Sequence, residues 1–296
     1  MKLHIVKHRR TWYLLSAALC VLSIVALFIW GLRPGIDFTG GSLLELSFVS
    51  APSQTAVHEA LATAGHSEAL VQLSEANVLI RTRPLTEDEH QALLATLSQS
   101  LGEATELQFD SIGPMIGEEL REKALWGVGT SLAIIALYLA WSFRGSDVLF
   151  SGKKIALLTV LKTFHDVLIS IGLFAVLGHF LGYEMDTAFV AGVLTILGYS
   201  INDGVVVLDR TRENAKLKIS SRLEEIVDRA IDQTLARSLN TSVTVFLALL
   251  AVFLFGGGST RPFAMLLLIG VFIGTYSSVF IASPLLVTLS KQKTIP

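Results

Sequence analysis

Residues 198–213 read GYSINDGVVVLDRTRE, and one carboxylate, Asp203, stands between two apolar runs that otherwise form a single continuous helix. Asp203 lies six residues before Asp209 and Arg210, the charges that end the run, so it sits roughly 9 Å inside that end at ~1.5 Å per residue. In a bilayer a charged carboxylate at that depth costs at least ~2.5 kcal/mol, so it must face a bundle interior or a wet cavity. There it can exchange protons near neutral pH; the alternative is a structural carboxylate, neutral and hydrogen-bonded to a neighbouring helix through Asn202 or a serine. In TLARSLNTSVTVF, Arg237, Thr241 and Thr244 fall at i, i+4 and i+7, on one helix face. Thr241 and Thr244 then lie roughly 6 and 10 Å in, the depth of Asp203. An arginine and two hydroxyls so placed can pair with the carboxylate or order a water file to it. The competing reading is an arginine that snorkels at a helix end beside hydroxyls that cap nearby backbone. A third apolar run adds Lys162, His165 and Asp166. Lys162 and Asp166, at i and i+4, can neutralise each other, and His165 can relay protons because it titrates near neutrality.

The elements that must position these groups are membrane spans. The chain has 296 residues, 52% of them hydrophobic and 16% charged, and a mean hydropathy of +0.60, which excludes an ordinary soluble domain. Runs of about 18 apolar residues or more, the length that crosses a bilayer, predict six spans at 11–32, 124–143, 155–182, 187–208, 237–257 and 262–290. The first run follows Lys7, His8, Arg9 and Arg10 but is longer than a signal core and lacks a small-x-small cleavage site, so it reads as an uncleaved anchor. Positive charge orients the bundle. Lys and Arg gather in residues 1–10, at Arg144, Lys153 and Lys154, between Arg210 and Arg229, and at Lys291 and Lys293 in the segment 291–296, whereas the opposite loops offer Arg261 and little else. Both termini are expected in the cytoplasm.

That orientation puts the segment 33–123 outside. SLLELSF alternates as a strand; 53–64 reads as a helix with Val57, Leu61 and Ala64 on one face; ALVQL and NVLIRT flank a SEAN turn; Thr86 caps a helix over 87–101; and a last strand covers 106–112. The order βαββαβ is the split, ferredoxin-like arrangement. Such a domain can take a polypeptide by edge-strand addition or only pack on a partner. GIDFTGGS, with Gly40 and Gly41, and SIGPMIGEEL, with Gly113, Pro114 and Gly117, tether it to the membrane as tight turns or as a moving hinge. In the loop 209–236, Ser221 and Glu224 have capping-box spacing, and Leu223, Ile226, Val227, Ala230 and Ile231 share a face, which predicts a helix along the cytoplasmic membrane surface.

Cys20 is alone, so no disulfide within the chain and no cysteine metal site is possible. No nucleotide or metal motif occurs, no cofactor and no enzymatic activity are expected, and no basic cluster with interleaved aromatics points to nucleic acid. Any work must draw on an ion gradient or a partner.

GIDFTGG after the first span, IGPMIGEEL before the second, HDV in the third, GYSINDGVVVLDRTREN in the fourth and RSLNTSVTVFLALLAVFLFGG in the fifth closely resemble the SecF family, over about residues 30–285. The sibling SecD family is expected to carry DLKGG in place of DFTGG. The resemblance implies an α-helical polytopic protein, a six-helix half bundle of the RND superfamily type, with the ferredoxin-like domain between helices one and two. It implies pairing with SecD, association with the SecYEG channel and YajC in the bacterial cytoplasmic membrane, and use of the proton motive force to draw preproteins out on the far side. On that likeness Asp203, Arg237 and Thr241 lie on the proton route, with Asp166, His165, Thr244 and Asn202 ranked behind them. Two positions depart from the family pattern: Lys162 beside HDV, where a small apolar residue is expected, and Gly204 after the aspartate, where a hydroxyl residue is common. An RND-like exporter of a small molecule or lipid calls for a larger external domain and a duplicated bundle. An intramembrane aspartyl protease using Asp166 and Asp203 lacks its GxGD context. A scaffold for SecD would tolerate a neutral Asp203.

Overall fold

Apolar length and strand alternation decide the architecture. A computed structural model of the chain describes residues 4–74, 77–142 and 152–290. After a 3₁₀ turn at Val6–His8 come α1 (Arg9–Ile29), a one-turn α2 (Ile36–Thr39), β1 (Gly41–Phe48), α3 (Gln54–Thr63), β2 (Leu70–Ser74), β3 (Asn77–Thr82), α4 (Glu87–Leu101) and β4 (Ala104–Ile112). Then follow α5 (Pro114–Ser142), α6 (Gly152–Leu181), α7 (Thr187–Lys216), α8 (Leu223–Phe255), α9 (Thr260–Ser277), a π-helical segment (Ser278–Ala282) and α10 (Ser283–Leu289). Six helices among the described residues are long and apolar enough to cross a membrane: α1, α5, α6, α7, α8, and the run from α9 through α10. The Glu75–Ala76 turn, the segment 143–151 with Arg144, residues 1–3, and 291–296 with Lys291 and Lys293 lie outside the described residues.

The chain divides into two units: residues 33–126 together with 184–187, and a helical bundle of the remaining segments. In the first, four antiparallel strands lie in the order β2-β3-β1-β4. Period-2 alternation puts Leu44, Leu46, Phe48, Val78 and Ile80 on one face, where Val57 and Leu61 of α3 and Leu93 and Leu97 of α4 close the core. Helix starts follow local chemistry: Ser53 accepts from Ala56 N, and Thr86 and Glu89 form a reciprocal capping box. This is the expected ferredoxin-like α+β unit.

In the bundle, α6, α7 and α9 are the most enclosed helices, whereas α1, α5 and α8 present large apolar side chains such as Phe28, Leu137 and Phe255 to the exterior. Small residues set the close approaches. A Cβ on Gly172 of α6 would overlap Ser23 of α1, and one on Gly270 of α9 would overlap Ile196 of α7.

Three expectations are corrected. The amphipathic stretch 223–231 is no separate surface helix; it is the first part of α8, which runs unbroken to Phe255. Its apolar face is buried on protein, with Leu223, Ile226, Val227 and Ile231 packed among Ile5, Val6, Leu286 and Val287. Arg9–Glu224 at 2.7 Å and Val6 N to Asp228 Oδ1 at 3.0 Å hold the chain's beginning there. The capping box at Ser221 does not form: the N-cap is Arg222 without a side-chain cap, and Ser220 instead accepts from Arg222 N at 3.1 Å and donates to Glu225 at 2.6 Å. Nor is GIDFTGG only a turn, since Ile36–Thr39 make one helical turn before the strand.

Candidate functional site

The inner helices carry the polar groups. On α6, Lys162 and Asp166 are one turn apart with both side chains fully buried, and Lys162 Nζ stands 3.0 Å from Asp166 Oδ2. Lys162 also donates to Ser200 O of α7 at 2.5 Å and to Ser200 Oγ at 2.9 Å. Ser200 passes its own hydrogen to Asp166 Oδ2 at 2.7 Å, Ser277 of α9 donates to the same oxygen at 2.7 Å, and His165 Nδ1 lies 2.8 Å from Oδ1. Asp166 is therefore a saturated carboxylate: one ammonium and three further donors surround it. A buried ion pair persists only with such hydrogen bonding around it.

Asp203, on α7, is 7% exposed and has different company. Its Oδ2 accepts from Ser278 Oγ, and among the described residues no ion pair is recorded for it. Ser278 also lies 2.9 Å from Thr275 O, so its single hydrogen has two acceptors to choose between. Ser278 opens the π-helical segment, where the sixth apolar helix loses its regular ladder, and Ser283 Oγ bonds back to Ser278 O at 2.9 Å. Ser277 and Ser278 are consecutive, so one helix step touches both carboxylates. Lys162 is near as well: its Nζ lies 3.9 Å from where a Cβ on Gly204 would stand.

Arg237, Thr241 and Thr244 share a face of α8, and that face is exposed. The face turned to the bundle is the one with Ser238 and Ser242, where Ser242 Oγ, Tyr199 OH and Thr275 Oγ1 meet at 2.6–3.3 Å. Arg237 instead lines an open groove of about 720 Å³ with the exposed Asn202 and with Tyr138, Thr234 and Arg210. The structure thus brings His165, Asp166 and Lys162 into one cluster, puts Asp203 next to it, and leaves Arg237, Thr241, Thr244 and Asn202 on the outer side. Sequence reasoning passed over Ser200, Ser277 and Ser278; the adjacent serines in the middle of the uncharged run 262–290 were the available signal.

At the tethers, Gly40 (φ +73°) and Gly41 (φ +136°) occupy left-handed backbone. A Cβ on Gly40 would stand 2.9 Å from Pro114 Cα, and one on Gly117 would stand 3.0 Å from Gly40 N, so the turn before β1 and the start of α5 touch backbone to backbone. Gly113 has open space around it, and Pro114 starts α5.

Residues 93–292 match the family described as "Protein export membrane protein SecD/SecF, C-terminal", and residues 25–51 match the "SecD/SecF GG Motif", which contains GIDFTGG. The chain is 38% identical to the protein translocase subunit SecF of Thermobaculum terrenum, covering 96% of this chain and 93% of that one. It is 36% identical to SecF of Sebaldella termitidis, over 100% of this chain and 94% of that one. It also resembles the crystal structure of SecDF, a translocon-associated membrane protein from Thermus thermophilus, with a TM-score of 0.84 and 34% identity. That likeness covers 97% of this chain but spans only 38% of the longer SecDF chain. A bundle of six apolar helices, a ferredoxin-like domain on a glycine tether and near-complete matches to SecF proteins lead to one conclusion: the chain belongs to the SecD/SecF family of protein-export membrane proteins.

Proposed function

We propose that this multi-pass membrane protein is the SecF-type subunit of a SecDF complex, and that it uses the proton motive force to help draw preproteins out across the bacterial cytoplasmic membrane. SecD is its partner half, as the joined SecDF relative suggests for this chain, with SecYEG, YajC and the emerging preprotein as further contacts. Both termini lie in the cytoplasm, on the strength of the basic residues flanking the spans.

The observation that carries the reading is the contrast between two buried carboxylates. Asp166 is surrounded by donors and balanced by Lys162, which leaves it a fixed charge. Among the described residues, Asp203 rests on a single hydroxyl. Ionised, it takes the hydrogen of Ser278; protonated, it donates to Ser278 Oγ, whose hydrogen turns to Thr275 O. Proton exchange at Asp203 is then read out as a hydrogen bond made or lost where the sixth apolar helix becomes π-helical. Arg237 and Thr241, with Thr244 and Asn202 behind them, form the outer part of the route, on the face that SecD covers. His165, with Nδ1 on Asp166, is a secondary relay.

The test is preprotein export in cells depleted of their own SecF and rescued by the wild-type chain or by Asp203→Asn at matched membrane levels. Rescue by the wild type alone supports proton coupling. Equal rescue by both makes the subunit a scaffold for SecD, and rescue by neither removes the export reading.

A further inference from the structure

GIDFTGG and the short stretch between α6 and α7 meet within the external unit, because residues 184–187 fold with the sheet. Pro34 and Met185 form a parallel bridge in which Gly35 N donates to Met185 O at 2.7 Å and Met185 N donates to Arg33 O at 2.7 Å. A Cβ on Gly35 would stand 3.1 Å from Met185 O, so this approach leaves little room for a side chain. Beside the bridge, the Asp37 carboxylate accepts from Thr187 N at 2.7 Å and from Thr187 Oγ1 at 2.6 Å. Arg81 of β3 holds Glu184 at 2.8 Å, with side chains 18% and 19% exposed. Burial pushes the Glu184 carboxyl up and the Arg81 guanidinium down, and each charge offsets the other. Removal of either one strands its partner.

Thr187 is the first residue of α7, and α7 continues without a break to Asp203, 16 residues on and about 24 Å along the axis. The first N–H groups of a helix have no partner inside it, so the acceptor that takes them fixes where the helix begins. Here the acceptor is an anion, suited to the positive helix end, and it belongs to the external domain.

We infer that Asp37 and the Arg81–Glu184 pair form a permanent clamp by which the external domain grips the helix carrying Asp203, so that displacement of that helix reaches the sheet without a slack joint. The inference rests on the reading of Asp203 as the proton-exchanging group. Asp37, Arg81 and Glu184 are positioning residues that never touch the proton.

The experiment measures preprotein export into membrane vesicles containing the full chain with SecD and the channel, with and without an imposed proton gradient. Arg81→Glu and Asp37→Ala each lower the gradient-stimulated part about fivefold or more, the size of a typical coupling, and leave the unstimulated rate unchanged. Arg81→Glu/Glu184→Arg restores the stimulation. Dicyclohexylcarbodiimide labelling of Asp203 keeps its pH profile in all three, which a general loss of structure would not allow. If Asp203→Asn leaves stimulation intact, the proton reading fails and takes the clamp's role with it. If Asp203→Asn abolishes stimulation while Arg81→Glu and Asp37→Ala retain it, the clamp alone is overturned. An independent variant carries Pro34→Cys and Met185→Cys in a Cys20→Ser chain, since bridge-paired positions are within disulfide reach. A permanent clamp keeps full stimulation with the cross-link formed. Loss of stimulation that returns on reduction means the joint opens, and overturns the inference.

Discussion

Replacing Lys162 by methionine tests whether the charge cluster of α6 is the fixed structure described above. The ammonium has no exposed surface, stands 3.0 Å from Asp166, and makes two bonds to Ser200. Lys162→Met fills nearly the same volume but leaves Asp166 as a buried charge without a counter-ion and removes the ammonium from Ser200 O and Oγ. Breaking a buried pair on one side costs roughly 3–5 kcal/mol, or more than about a hundredfold in the unfolding equilibrium. Lys162→Met/Asp166→Asn removes both charges and keeps an acceptor for Ser277 and a partner for His165, so it recovers most of that loss. Reversible unfolding in mixed detergent micelles, followed by tryptophan fluorescence, measures all three chains. The reasoning is refuted if the single change costs less than about 1 kcal/mol, the size of an exposed pair, or if the double variant is no more stable than the single one.

Ser278→Ala removes the hydrogen bond recorded for Asp203. Bonds to charged groups contribute about 1.5–3 kcal/mol, so the gradient-stimulated part of export falls at least about tenfold, while Ser278→Thr retains it. Gly40→Ala places a Cβ in left-handed backbone 2.9 Å from Pro114 and destabilises the sheet-bearing unit by about 1–3 kcal/mol; Gly113→Ala, with open space around it, changes stability little in the same melt. Thr86→Ala costs about 1 kcal/mol through loss of the capping box. Arg83 first, and then the Thr86 backbone N–H, hold the Glu89 carboxyl down at about 2, against a usual 4.5. A depressed carboxylate stabilises the fold above its unfolded value, so this contribution is complete above pH 4.5 and fades as the pH falls toward 2. Thermal melts of the wild type and Glu89→Gln across that range should converge in acid, because protonation removes from the wild type the same charge that the substitution removes.

The amino-acid sequence by itself determined the solvent of each segment and the class of each element. Runs of apolar residues leave no alternative to spanning helices, because unpaired backbone is untenable in hydrocarbon. The alternation of SLLELSF and NVLIRT, and the cap at Thr86, specify strands and a helix start through bonds a few residues long. Asp203 and the Lys162–Asp166 pair were legible for the same local reason: a charge in an apolar run is conspicuous, and i, i+4 residues on a helix always meet. Tertiary structure alone decided which way each helix is turned. That Arg237, Thr241 and Thr244 share a face follows from helical period; that this face is the exposed one follows from Ser242 bonding to Tyr199 and Thr275 on other helices. The apolar face of 223–231 was equally plain, but whether lipid or protein covers it depended on Ile5, Val6, Leu286 and Val287, more than 50 residues away in either direction along the chain. Ser278 on Asp203 and Asp37 on Thr187 join residues 75 and 150 positions apart. Helix rotation and inter-element register arise from packing across the whole chain, and no window of neighbouring residues contains them.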